Sequence, residues 1–137
     1  MSYRRAMRVI RSSIAICLIA AAASAASAAA NEKVFASDCG TGRQRPGHFT
    51  LYCGDAGQYL TNLRWSSWGG RVAVARGVLT TKTCVPNCAA GGVTSESVTV
   101  HFFNKRTCPG HRYRFYTRLT VFRANGRNVH RSFGCPY

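Results

Sequence analysis

Residues 112–133 read RYRFYTRLTVFRANGRNVHRSF, and this stretch decides the fold class. Arg112–Arg123 alternates between long polar and apolar side chains, which is the pattern of a β-strand with one buried face. Asn125-Gly126 follows, and an Asn-Gly pair between two extended segments is a strong signal for a tight hairpin turn. The stretch therefore predicts a long strand, a hairpin turn, and a second strand over Arg127–Phe133.

Further strands are expected upstream, because short apolar or alternating runs are separated by Gly, Pro and Asp. The predicted strands are His48–Cys53, Tyr59–Trp68, Arg71–Thr80 and Glu96–Phe103. Apart from the N-terminal segment, no window carries a helical apolar stripe. The chain is predicted to be all-β, a small antiparallel β-sandwich or barrel of five to six strands. The predicted core is Phe49, Leu51, Leu63, Trp65, Trp68, Val98, Val100, Phe115, Leu119 and Val121.

The N-terminal segment has the layout of an export signal. Arginines near the start are followed by an apolar run and an Ala-rich stretch with small-x-small cleavage patterns up to Ala30. An uncleaved membrane anchor is the alternative, but the run is short and its second half contains only Ala and Ser. We expect residues 1–30 to be a cleaved secretory signal peptide, 31–47 an irregular lead-in, and 48–137 a single β domain.

The cysteines fit an exported protein. Cys17 falls within the predicted signal, and the six that remain suggest three disulfides in an oxidising compartment. Six cysteines allow 15 pairings, and proximity in sequence favours the pairs Cys39 with Cys53, Cys84 with Cys88, and Cys108 with Cys135. Zinc is a weaker alternative, because no second close Cys or His pair accompanies the first.

The charge is strongly positive, with 19 Lys and Arg against 4 Asp and Glu and a formal net charge of +15. Four basic residues and no acid lie in the predicted signal, so its removal leaves about +11 at neutral pH. So few acids leave little material for carboxylate chemistry such as glycoside hydrolysis. Because hydrophobic residues are 46% of the chain, a packed core is expected rather than disorder.

Three motifs carry a family resemblance. They are the Cys-Gly-Asp that begins at Cys53, the Leu-x-Trp-Ser-Ser-Trp-Gly that ends at Gly69, and the Cys-x-Pro-x-Cys-Ala-x-Gly of residues 84–91. In these motifs the chain resembles small secreted actinobacterial proteins of unknown function, over roughly residues 45–121. The resemblance implies export and a compact β domain, and it implies no activity. The chain departs from the pattern in its arginine content, in Cys39 and in the C-terminal extension that bears Cys135.

The leading functional hypothesis is a non-enzymatic, monomeric binding protein with an arginine-rich face. Alternation on the fifth strand predicts an outward stripe, and arginines in the hairpin extend it; the candidates are Arg112, Arg114, Tyr116, Arg118, Arg123, Arg127 and Arg131. Arginine suits polyanions because its planar guanidinium pairs with phosphate. Anionic cell-envelope polymers and nucleic acid are the expected partners, without metal or organic cofactor. Simple solvation by arginine is the alternative.

Two other classes remain open. The Cys84–Cys88 loop, with Val85, Pro86 and Asn87, is a candidate inhibitory loop for a secreted protease, because a pre-organised segment binds at lower entropic cost. A small ribonuclease would use His48, His101, His111 or His130 as acid and base, although no motif pairs them. No Gly-x-Ser-x-Gly motif supports serine chemistry.

Overall fold

A computed structural model describes residues 32–137, which form eight β-strands. The strands are β1 (Val34–Asp38), β2 (Thr41–Arg43), β3 (Phe49–Thr50), β4 (Gln58–Ser67), β5 (Val72–Lys82), β6 (Val93–Thr107), β7 (Arg114–Phe122) and β8 (Val129–Ser132). Within this part of the chain no helix has the length and apolar character needed to cross a membrane. The predicted signal peptide, residues 1–30, lies outside the described residues.

All eight strands belong to one sheet in the order β2-β1-β7-β6-β5-β4-β3, with β8 also paired to β7. The sheet is mixed, because β1 runs parallel to β7 while the other pairs are antiparallel. It curls into a half-barrel around one core. The all-β prediction is confirmed. The structure has eight strands instead of the predicted five to six. They form one curled sheet, and the sheet is mixed rather than purely antiparallel.

The additional strands come from residues 31–47, which the sequence predicted to be irregular. β1 and β2 form a hairpin there, and β1 then pairs with the first part of β7 through Val34–Arg114 and Ala36–Tyr116. Four of the five β1 residues are buried, so the strand has no alternation for a sequence pattern to detect. Its parallel pairing with a strand 80 positions away, as in Val34–Arg114, is a purely tertiary constraint.

The strands predicted over β4 to β8 are all present, although β6 runs from Val93 to Thr107 and is longer than the predicted Glu96–Phe103. The Asn125-Gly126 hairpin joins β7 to β8, and Val121 and Val129 close the ladder next to the turn. The predicted strand His48–Cys53 shortens to the two residues of β3.

The core lies inside the curl. Eight of the ten predicted core residues are buried, and Trp65 and Trp68 pack against the core while partly exposed. Both indole N–H groups donate to backbone carbonyls, Trp65 to Pro46 and Trp68 to Val34, at 2.8 Å each. The two rings contact each other edge to face at 4.4 Å. The Trp pair therefore fastens the β4 end of the sheet to the N-terminal segment.

Curling brings β3, at one edge of the sheet, towards β1 and β8. Hydrogen bonds to and from side chains, rather than a ladder of backbone hydrogen bonds, connect β3 to these two strands. We call this junction the seam. The amide of Thr50 donates to Asp38 Oδ1 at 3.0 Å, and Arg131 Nε donates to the carbonyl of Leu51 at 3.1 Å. The guanidinium of Arg131 also lies 4.1 Å from the centre of the Tyr52 ring. These contacts satisfy edge groups of β3 that would otherwise lack partners.

Disulfides reinforce this arrangement. The structure contains Cys39–Cys53, Cys84–Cys88 and Cys108–Cys135, the pairing that sequence proximity favoured. Cys39–Cys53 spans the seam, and Cys108–Cys135 ties the C-terminal segment to the turn after β6. Cys84–Cys88 closes a small loop between β5 and β6. Each cross-link restricts the conformations of the unfolded chain, and a disulfide typically stabilises a fold by about 2–4 kcal/mol in this way.

The first prediction concerns the seam. Asp38→Ala removes the acceptor of the Thr50 amide from a site that is only 8% exposed, so the free energy of unfolding should fall by about 1–3 kcal/mol. Arg43→Gln is the matched control. It removes only the solvent-exposed partner of Asp38, at 3.5 Å, and should cost less than about 1 kcal/mol. Urea denaturation measures both, and equal losses would contradict the assigned role of Asp38.

Candidate functional site

The face of β4–β8 that points away from the core is solvent-accessible, and we call it the outer face. Residues directly opposite each other on antiparallel strands lie on the same face of the sheet. Three rows across the outer face follow from the strand registers. They are Val72-Phe103-Arg118-Ser132, Val74-His101-Thr120-His130 and Arg64-Arg76-Thr99-Phe122.

The first row borders a shallow groove of about 470 Å³, which we call the cationic groove. Arg71, Lys105, Arg114 and Arg118 line it, together with the ring of Phe103. Three strands position these side chains, because Arg71 precedes β5, Lys105 lies near the end of β6, and the other two arginines lie on β7. Four cationic side chains and one aromatic ring thus converge from segments that are distant in sequence.

One carboxylate lies at the rim of the cationic groove. Glu32 accepts a 2.8 Å hydrogen bond from Lys105 Nζ and lies 3.6 Å from Arg114. The hydrogen bond from Lys105 lowers the pKa of Glu32, and the charges of Lys105 and Arg114 act in the same direction. Glu32 therefore partly neutralises two of the four cations. Arg71 and Arg118 have no acidic partner among residues 32–137.

A second cationic position lies at the other end of the outer face. Arg64 on β4 and Arg76 on β5 are both exposed and stand directly opposite each other. Like charges in a direct cross-strand pair destabilise a sheet. An anion bound between the two side chains would remove that repulsion.

The predicted arginine stripe is only partly present. Arg112, Arg114 and Arg118 are exposed, but Tyr116 is fully buried. Its hydroxyl donates to the carbonyl of Gly70 at 2.9 Å and accepts from the amide of Gly69 at 3.0 Å. Burial raises the pKa of Tyr116. The placement of Tyr116 on the exposed stripe is therefore corrected.

The cause is an interruption of the β6–β7 ladder beside Tyr116. Asn104 adopts a left-handed conformation with φ of 60°. The hydroxyl of the opposed Thr117 accepts a hydrogen bond from Asn104 Nδ2 and donates one to the backbone carbonyl of Asn104, both at 2.8 Å. Strict alternation along β7 fails here, and three consecutive residues, 115–117, are buried. A sequence pattern that assumes period two cannot detect such an interruption.

The remaining predicted arginines have other contacts. Arg123 Nε donates to Glu96 at 2.7 Å, and Arg131 is committed to the seam. Arg112 lies over the ring of Tyr113, and Arg127 is exposed in the hairpin turn. Of the seven predicted residues, only Arg114 and Arg118 enter the cationic groove. Arg71 and Lys105 were missed, because their proximity to β7 depends on sheet register.

The candidate inhibitory loop is exposed, with Val85 80% accessible. Asn87 Oδ1 accepts hydrogen bonds from the amides of Ala89 and Ala90, at 3.1 and 2.9 Å, so the loop folds back on itself. These hydrogen bonds order the residues that follow Asn87, and Val85, Pro86 and Asn87 themselves are exposed. The inhibitor hypothesis for these three residues stays a prediction.

Only two of the four histidines lie in the same row of the sheet. Of the other two, His48 stacks on Tyr59 and His111 packs against Phe115. His101 and His130 lie on the outer face, one on each side of Thr120, and His130 Nδ1 lies 3.0 Å from Thr120 Oγ1. The structure thus brings together one of the histidine combinations that no sequence motif supported.

Comparison of the chain with protein-family models, with curated proteins and with solved structures finds no match. Across residues 32–137, no group of three or more His, Cys, Asp or Glu side chains is arranged to hold a metal ion. The candidate site is therefore identified from geometry alone. It is the cationic groove on the outer face of an all-β half-barrel.

The second prediction concerns the buried phenol that supports this groove. Tyr116→Phe leaves the Gly69 amide and the Gly70 carbonyl without their partner, so the free energy of unfolding should fall by about 1–3 kcal/mol. A raised pKa in the folded state means that the wild type loses stability as pH rises above 10, the usual value for tyrosine. This alkaline loss should be smaller in Tyr116→Phe.

Tyr113→Phe serves as control, since its hydroxyl contacts only the exposed Arg112. Denaturation curves at neutral pH and above pH 10 make the comparison. Identical alkaline behaviour of Tyr116→Phe and wild type would contradict the assignment.

Proposed function

We propose that the protein is an exported polyanion-binding protein that acts without catalysis and uses the outer face of its sheet. The observation that carries this proposal is the cationic groove, where Arg71 and Arg118 lie beside Lys105 and Arg114. Guanidinium groups pair with phosphate through two parallel hydrogen bonds. Several of them on one surface are suited to a ligand that carries repeated negative charges.

The placement of the acids supports the proposal. All four carboxylates of the chain have partners within the protein. Glu32 contacts Lys105, Asp38 accepts from Thr50, Asp55 accepts from Gly57, and Glu96 pairs with Arg123. Of these four, only Glu32 contacts cations of the groove, so the positive potential of the outer face is cancelled only in part. Such a potential attracts polyanions over a distance comparable to the Debye length.

The proposed place of action is outside the cell or at its envelope. The three disulfides use all six cysteines that follow the predicted signal peptide. Cross-links of this kind persist in oxidising compartments. Phosphate-rich envelope polymers and released nucleic acid are polyanions present in that space, and a monomer suffices to bind them.

The third prediction tests the cationic groove. Arg71→Gln with Arg118→Gln should make the protein elute from heparin at lower salt. For a phosphate polymer, each lost arginine should reduce the slope of log affinity against log salt by about one. Arg127→Gln removes one exposed arginine of the hairpin turn. It is the matched control for each single groove variant, which also removes one charge, and it should have a smaller effect than either.

Glu32→Gln provides the opposite test. It removes the carboxylate at the rim of the groove and should raise heparin affinity more than the change in net charge alone does. If the wild type shows no salt-sensitive retention on heparin or nucleic acid, the proposed function is wrong. If Arg127→Gln weakens retention as much as the single groove variants, the groove is not the site.

A ribonuclease is the second candidate function, favoured by His101 and His130 on either side of Thr120. Two histidines beside a cation can act as base and acid on a phosphodiester, and Arg118 lies one row away on the same face.

The fourth prediction follows for this candidate: if RNA is cut, His101→Asn and His130→Asn should each reduce the rate of RNA cleavage by about 100-fold or more. His111→Asn is the control. Equal RNA decay with wild type and with the two variants would exclude the pair.

A further inference from the structure

We infer that the ligand of the outer face is single-stranded nucleic acid, whose bases stack on Phe103 and Phe122 between the cations. The inference rests on the proposed function and makes it more specific. It depends on aromatic rings, whereas polyanion binding alone depends on charge. The two can therefore be tested separately.

The first observation is where the rings lie. Phe103 is partly exposed in the row between Val72 and Arg118, and it forms part of the cationic groove. Phe122 is 39% exposed and lies opposite Thr99, in the same row as Arg64 and Arg76. Phe103 thus lies in the cationic groove, and Phe122 lines a shallow depression together with Arg76 and Thr99.

The second observation is the connection between the rings. Phe103 and Phe122 lie in rows four positions apart, or roughly 13 Å along the strands. His101 lies in the middle row, and its ring centre is 4.7 Å from that of Phe122. The imidazole adds a third flat ring to the path. Three aromatic groups therefore lead from the cationic groove to the row of the sheet that also contains Arg64 and Arg76.

The third observation is that the core does not need these rings. The inward residues of β6, including Phe102, fill the interior together with Phe49 and Tyr116. Phe103 and Phe122 point the other way, where polar side chains would be more soluble. Apolar rings at these two positions are explained by a ligand that covers them.

The chemistry of the face selects among polyanions. Every nucleobase has a π-face that stacks on aromatic side chains, and open sheet surfaces bind single strands in this way. In a duplex the bases are already stacked and paired, so the rings would gain little. A phosphate polymer without bases would contact the arginines and leave both phenylalanines uncovered.

The fifth prediction is measured by fluorescence anisotropy with the purified, disulfide-intact protein. The probes are labelled oligothymidylate, the same strand annealed to oligodeoxyadenylate, and labelled heparin. Phe103→Leu and Phe122→Leu keep an apolar side chain but remove the ring. Each should weaken binding of the single strand by about fivefold or more, because stacking on one base is worth that much. Heparin binding should change by less than about twofold, because the charges remain.

Tyr52→Leu is the matched control, because Tyr52 is 38% exposed but lies at the seam. Thermal denaturation of each variant verifies that it is folded, and binding is compared at a temperature where all are folded. The expected pattern is a loss confined to the single strand and to the two outer-face variants.

Three results would overturn the inference in distinguishable ways. Unchanged single-strand binding in Phe103→Leu with Phe122→Leu would exclude stacking and leave polyanion binding intact. Equal affinity of the wild type for duplex and single strand would identify a ligand recognised by its phosphates alone. No binding of the wild type to any of the three probes would refute the proposed function as well.

Discussion

The closure of the sheet across the seam is the constraint on which the other features depend. A sheet of eight strands with one apolar face needs something to cover that face, and here it curls around its own core. The edges then meet without a hydrogen-bonded ladder between β3 and β8. Asp38, Arg131 and the Cys39–Cys53 disulfide make the connection with side chains. The opposite face of β4–β8 is left exposed to solvent, and that is where the candidate site lies.

The arginines serve two purposes that composition could not separate. Arg131 and Arg123 are structural, because one satisfies an edge carbonyl at the seam and the other pairs with Glu96. Arg71 and Arg118 contribute to the cationic groove without acidic partners in the described part of the chain. High positive charge is therefore consistent both with stabilisation and with recognition. The distinction between the two depends on where each side chain lies in the sheet.

The sequence predicted those features that depend on local patterns. The hairpin at Asn125-Gly126, the strands β4 to β8 and the three disulfides were expected from turn residues, apolar runs and proximity of cysteines. The strand β1 was missed because it is buried and pairs in parallel with β7. Tyr116 was misplaced because Asn104 interrupts the alternation opposite it. The cationic groove combines residues from three strands, so no single segment of sequence contains its signal.

The most direct test of this account is an NMR titration of the isotope-labelled protein with oligothymidylate, followed through the backbone amide shifts. The account predicts that the shifts concentrate on the outer face, in residues 71–76, 101–105 and 118–122, and that amides at the seam stay unchanged. Shifts centred on the Cys84–Cys88 loop, or scattered evenly over the surface, would contradict it.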